Sequence, residues 1–249
     1  MDVALFHTCL VDVMRPSVGF ASIDLLEAAG CRVIVPPGQT CCGQPAFNAG
    51  DRDGACRLAR RVIAEFESFP YTVAPSGSCA DQIRNAYPGL FADEPDWRRR
   101  AEALAAKVFE LTDFLVSVCK VAAVPGRFSG RVTYHDACAG LRSLGIQAQP
   151  RALLATVPGL TLTEMPGADE CFGFGGTFAI KFGDLSAAIA ARKCDNALTT
   201  GADAVVGGDL GCLLNIEGKL RRMGDERTRV LHVAEVLAGD DGRLSGAGD

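Results

Sequence analysis

Short apolar runs bounded by turn residues alternate along this chain with longer stretches in which apolar residues recur every three or four positions. Val33-Ile34-Val35, Thr72-Val73-Ala74, Val132-Thr133-Tyr134 and Ala204-Val205-Val206 are such runs, rich in β-branched residues, and read as buried strands of βαβ units. Val18, Ala21, Leu25 and Ala28 fall on one face of a helix that Gly30 ends. Trp97, Ala101, Leu104, Val108, Leu111, Leu115 and Val118 recur at 4, 3, 4, 3, 4, 3 and predict one amphipathic helix of about six turns, a core element or a partner-docking face, with no counterpart later in the chain. The alternation predicts an α/β fold of two pseudo-repeated, Rossmann-like halves with mainly parallel sheets. Residues 1–124 form the first half, 125–240 the second and 241–249 a mobile tail, and the stretch VPGRFSG at 124–130 connects the halves.

The cysteines make the repeat visible. VALFHTC ends in Cys9, CRVIVPPGQTCCG carries Cys41 and Cys42, and YTVAPSGSC ends in Cys79. RVTYHDAC then ends in Cys138, LTLTEMPGADECFG carries Cys171, and AVVGGDLGC ends in Cys212. The three offsets, Cys9 to Cys138, Cys41 to Cys171 and Cys79 to Cys212, are 129, 130 and 133 residues. Three positions displaced by nearly one interval point to duplication. Cys31, Cys56, Cys119 and Cys194 have no partner at this interval and read as core residues.

Composition limits what the thiols can do. The chain has 249 residues, 48% of them hydrophobic, enough for one large α/β domain or two smaller ones. A net charge of −5 argues against a nucleic-acid partner, and the one dense basic run, Arg98–Arg100, reads as the wet side of a helix. No stretch reaches about 18 consecutive apolar residues, and MDVALFHTC lacks the pattern of a signal peptide, so a cytoplasmic chain without a membrane span is expected. A disulfide framework does not persist in that compartment, and eleven cysteines cannot all pair. Metal binding or thiol chemistry is the better account.

Each motif cysteine follows a predicted strand, where open α/β sheets place their ligands. Cys9, Cys41, Cys42 and Cys79 thus bring four thiolates from three loops to one point, the number an iron–sulfur cluster or a tetrahedral zinc takes. Gly43 lets the chain turn beside the adjacent pair, whose backbone N–H groups can bond to sulfur. His7 and His135 precede motif cysteines and are candidate ligands or acids, though a locally hydrogen-bonded histidine at a strand end is the simpler reading. His232 opens a terminal helix. Cys138 with His135 and Asp136 is a conceivable thiol-enzyme set without an evident oxyanion site. GFGGTF at 173–178 does not fit the dinucleotide fingerprint; its glycines suit backbone wrapping around a metal group.

The stretches TCLVD (8–12), GQTCCGQPAFNAG (38–50), PSGSC (75–79), ADEPDW (92–97), YHDAC (134–138), CFGFGGTF (171–178) and HVAEVL (232–237) resemble the cysteine-rich CCG-domain family, in particular its lactate-utilization and glycolate-oxidase iron–sulfur branches. The resemblance implies an iron–sulfur electron-transfer subunit acting with two partner proteins, one of them iron–sulfur, in oxidising L-lactate or a related 2-hydroxy acid to the 2-oxo acid. A zinc-binding interaction protein and a heterodisulfide-type thiol redox subunit are the alternatives. The implied cofactor is a four-iron cluster on Cys9, Cys41, Cys42 and Cys79. Cys138, Cys171 and Cys212 form a second site for a cluster or zinc, or one left empty. The chain departs from relatives that end each motif in Cys-x-x-Cys, having Ser76 and Asp209 at those positions, so four-ligand binding is expected in place of a five-cysteine cluster. Phe172 stands where the family has the second cysteine of the pair, leaving site two one thiolate short.

Overall fold

The computed structural model describes residues 1–175 and 177–239; the predicted tail at 241–249 lies outside them. Among the described residues eight strands form two four-stranded, wholly parallel sheets. β1 (Asp2–Leu5), β2 (Arg32–Ile34), β3 (Thr72–Ala74) and β4 (Val108–Glu110) lie in the order β2-β1-β3-β4. β5 (Gly130–His135), β6 (Leu160–Leu162), β7 (Ala204–Gly207) and β8 (Arg229–His232) repeat it as β6-β5-β7-β8. The expected α/β class is therefore observed.

Of the helix predicted around Val18, residues Pro16–Ala28 are helical, with proline in the first turn, where a missing N–H costs nothing. Val18, Ala21 and Leu25 are buried as predicted; Ala28 is exposed, and Ser22 and Leu26 complete the inner face. Gly30 at φ +80° ends the helix while the Cys31 N–H returns to the Leu26 carbonyl at 3.0 Å. This helix packs on Val233–Ala238 of the second half. Ser17 Oγ donates to Glu235 Oε1 at 2.7 Å, and the Arg15 guanidinium reaches the Val230 carbonyl and Glu217. One apolar core runs through both halves, joining Val3, Leu5 and Leu25 to Val132, Leu213 and Leu237. A second, around Phe6, Ile63, Phe66 and Tyr87, belongs to the first half.

The predicted six-turn helix is not formed. Residues Pro95–Ala105 are helical, Val108–Glu110 are β4, and Leu111–Asp113 and a π-helical turn Phe114–Val118 follow. Val108, Phe109 and Glu110 pair with Thr72, Val73 and Ala74, and the buried Val108 and Leu111 keep the helical spacing by coincidence. The segment also has a counterpart. Glu110 and His232 end the outer strands opposite Ala74 and Gly207, and each caps the helix that follows. The basic run is only partly wet: Arg98 and Arg99 are exposed, but Arg100 forms a bidentate pair with Glu67 at 2.8 Å and lies over the Trp97 ring.

Burial pulls the His232 imidazole down to about 3, and its Nδ1 accepts from the Ala234 N–H, so the cap needs the neutral ring. Its contribution to stability is complete above the ordinary histidine value near 6.5 and is lost as pH falls towards 3. The melting temperature should therefore fall over that window, and less steeply in His232→Asn, which keeps a capping side chain that does not titrate. Glu110, raised to about 7 mainly by burial, acts with the opposite sign in both proteins and drops out of the comparison. Parallel pH–melting curves would contradict this role of His232.

Candidate metal centre

Three loops at the carboxyl end of the first sheet bring Cys9, Cys41, Cys42 and Cys79 together. Thr8, left-handed at φ 68° although it is not glycine, precedes Cys9 and caps the helix Cys9–Met14 through its hydroxyl. Gln39 fixes the second loop: its Nε2 donates to the Leu5 carbonyl at 2.9 Å, and its Oε1 accepts from the His7 N–H at 3.2 Å. Gly43 at φ +84° turns the chain after the cysteine pair. The Tyr87 hydroxyl donates to the Cys42 carbonyl at 2.8 Å, and Gln44 Nε2 to the Ser78 carbonyl at 3.3 Å. Cys42 Sγ donates to Cys79 Sγ at 3.5 Å, while the thiols of Cys42 and Cys9 and the Gly43 N–H lie against Cys41 Sγ.

These bonds gather negative charge on Cys41, whose pKa is pulled down by its two donor neighbours. Cys9 is pushed up by the neighbouring Cys41 thiol and by burial, and Cys42 by the adjoining Cys41 and Cys79 sulfurs and by burial. Among the described residues no group of three or more His, Cys, Asp or Glu side chains is arranged to hold a metal ion as it stands. The donor set nevertheless fits a thiolate-bound group. Touching thiols cannot all ionise alone, and a bound cation is what removes that penalty. Cys56, read as core, is buried with its Sγ near the Leu90 carbonyl.

The second half repeats the local design. Gly173 at φ +87° follows Cys171 as Gly43 follows Cys41, and its N–H bonds Cys171 Sγ at 3.3 Å. A Cβ on Gly173 would lie 2.7 Å from the Ser186 carbonyl oxygen, which explains this glycine of GFGGTF. Cys138 and Cys171 are exposed and Cys212 is buried. The Cys212 thiol is driven well up by burial, then by Asp209, Cys138 and Cys171. Phe172 fills the missing thiol's position with a buried ring, edge-on to His135 at 5.4 Å and stacked on Phe174 at 6.0 Å. His135 is enclosed with neither ring nitrogen hydrogen-bonded to a described residue, contrary to the local bond expected from sequence, and burial pulls it down to about 3. Asp136 is committed to a two-point pair with Arg151 at 2.8 and 2.9 Å, so Cys138, His135 and Asp136 form no relay. His7 lies 3.8 Å from Asp12 and is partly exposed.

Ser76 and Asp209, matching positions of the two halves, meet at the seam between them. Ser76 Oγ donates to Asp209 Oδ2 at 3.1 Å, and the Ser78 N–H donates to the same oxygen at 3.0 Å. Ser76 Oγ also accepts from the Cys79 N–H, and Asp209 Oδ1 from the Gly211 N–H, so each caps the helix that carries a motif cysteine. Gly77 lies against Gly140; a Cβ there would sit 2.9 Å from the Gly140 N and Cα.

A model of the cysteine-rich CCG domain matches residues 3–84 and again 132–217, one match in each half. The chain belongs to the CCG family. It is 48% identical to lactate utilization protein A of an Exiguobacterium species over 95% of this chain and 96% of that protein. It is 45% identical to the protein of the same name from Bacillus cytotoxicus, over 95% and 98%. Among solved structures, a hypothetical protein from Helicobacter pylori superposes with a TM-score of 0.67 at 12% identity. It covers all of this chain, which spans 49% of that one, and shows the fold alone.

Gln39, Tyr87 and the Ser76–Asp209 contact carry no recognisable signal in the sequence of this CCG protein. Gln39 stands inside GQTCCG but gives no periodic signal, and nothing in the spacing tells that Ser76 and Asp209 touch. For its second half, metal at Cys138, Cys171 and Cys212 is expected to leave on chelation before metal at the first site, and Phe172→Cys to slow that loss by supplying a fourth thiolate. Equal loss from both sites, unchanged in Phe172→Cys, would show that the aromatic replacement is not the weak point.

Proposed function

We propose that this protein is a cytoplasmic electron-transfer component of a lactate-utilization system, holding an iron–sulfur cluster on Cys9, Cys41, Cys42 and Cys79. The carrying observation is the linked set of four thiols at the strand ends, with a backbone N–H on Cys41. The relatives named lactate utilization protein A, similar over nearly the whole chain, support the physiological setting and partnership with further proteins of that system. The chain's own part is to supply thiolates, to donate N–H bonds to sulfur and to keep water out with Phe6, Tyr87 and their neighbours. Bound iron–sulfur chemistry would supply one-electron transfer between partners. Cys138, Cys171 and Cys212 form a second, weaker site. We take the seam near residue 124 as the join of two duplicated CCG units, in keeping with the repeated strand order and the two separate family matches.

Zinc is the second reading, because the 3.5 Å Cys42–Cys79 separation is near the roughly 3.8 Å that two thiolates on one tetrahedral zinc would show. Protein purified without oxygen should be brown under the first reading and colourless under the second. Growth on L-lactate should fail when the gene is deleted and return with the wild-type gene; unimpaired growth of the deletion strain would remove the lactate assignment.

A further inference from the structure

Cys31 and Cys119, which the metal centre does not use, touch each other. Their sulfurs are 3.8 Å apart across 88 residues of sequence. Cys31 precedes β2, at the amino end of the sheet, whereas the four site-one cysteines follow strand carboxyl ends. Both thiols are held by ordered backbone. Cys31 is pinned by its N–H bond to Leu26 just after the helix stop at Gly30, and Cys119 by its N–H bond to Phe114 at the end of the π-helical turn. Cys31 belongs to the apolar core that joins the halves and Cys119 packs against it. Lys120, left-handed at φ 55°, begins the connection to the second half directly after Cys119.

We infer that Cys31 and Cys119 form a reversible dithiol–disulfide site that clips the end of the first half to the amino end of its sheet. A bond of about 2.05 Å needs the sulfurs to close by roughly 1.8 Å, within the reach of side-chain rotation. The oxidant is a low-molecular-weight disulfide. The more exposed Cys119, as thiolate, attacks it and releases one small thiolate; Cys31, as thiolate, then attacks the Cys119 sulfur of the mixed disulfide and releases the second. One S–S bond is consumed and one formed, the protein thiols are oxidised by two electrons, and their two protons leave on the two released small thiols. Burial, then the Cys31 neighbour, pushes the Cys119 thiol up to about 12, so Cys119 is protonated at neutral pH and its attack quickens in alkali. The clip closes an 88-residue interval, and restriction of the unfolded chain favours the folded state.

The test treats the full chain with oxidised glutathione at mildly alkaline pH, alkylates remaining thiols and maps tryptic fragments without reduction. The fragment covering residues 108–120, whose one cysteine is Cys119, should be joined to the fragment ending at Arg32, with fragmentation placing the bond on Cys31 and not Cys9. Dithiothreitol should separate them, and Cys119→Ala should abolish the link. The linked form should melt higher on the order of 5–15 °C and return to the starting value on reduction. Recovery of Cys119 alkylated or still carrying glutathione, or joined to any other cysteine, would overturn the inference.

Discussion

Cys42→Ser is expected to strip the chain of most of its bound iron, while Cys56→Ser retains it. Both cysteines are buried in the same apolar cluster of the first half, so burial alone does not separate them. Their partners do. Cys42 lies against the thiols of Cys41 and Cys79 and is the central link of the site-one sulfurs, whereas the Cys56 thiol faces the Leu90 carbonyl. Serine replaces sulfur by a smaller, harder oxygen whose proton is not given up near neutral pH, so the ligand set falls from four thiolates to three. Iron held at site one should drop on the order of tenfold or more in Cys42→Ser. The Tyr87 bond to the Cys42 carbonyl does not depend on the side chain, so the fold should persist. Circular dichroism should therefore be near wild type in both variants, and equal iron in both would remove Cys42 from the site.

Asp209→Ala should give the largest loss of stability among seam substitutions. Its carboxylate accepts from Ser76 Oγ, the Ser78 N–H and the Gly211 N–H, and both it and Ser76 are buried. Alanine removes a helix cap, worth about 1 kcal/mol, and leaves Ser76 without its acceptor across the seam, which costs about a further 1–3 kcal/mol. A fall in melting temperature on the order of 5–12 °C follows. Asp209→Asn, which keeps one accepting oxygen, should lie between. The seam anchors the helix that begins at Gly77 and carries Cys79, so metal at site one should also leave faster in Asp209→Ala. Thermal melting and chelator kinetics check the two effects, and a wild-type melting temperature in Asp209→Ala would contradict this account of the seam.

The cysteine register carried most of what was readable beforehand. Strand runs of β-branched residues and an interval of 129–133 residues between matching thiols were enough to place three loops at one end of a parallel sheet. β4 was hidden because Val108 and Leu111 are buried in either conformation and three strand residues cannot overrule a 4-3 pattern spread over 22. Ser76 and Asp209 could be recognised as missing cysteines, but their use as mutual partners depends on how the halves dock, which local patterning does not encode. His135 was expected to find a local bond. It lost that option because Phe172 fills the adjoining space, and at the matching position of the first half the aromatic is Phe6, buried beside Cys42.

An iron–sulfur cluster on Cys9, Cys41, Cys42 and Cys79 has a direct analytical signature. Parallel assay of iron, acid-labile sulfide and zinc on protein purified without oxygen, wild type beside Cys42→Ser, tests it most directly. Iron and sulfide in equal amounts in the wild type, both largely gone from Cys42→Ser, is the predicted result. Wild-type protein carrying zinc without sulfide, or iron and sulfide undiminished in Cys42→Ser, would contradict it.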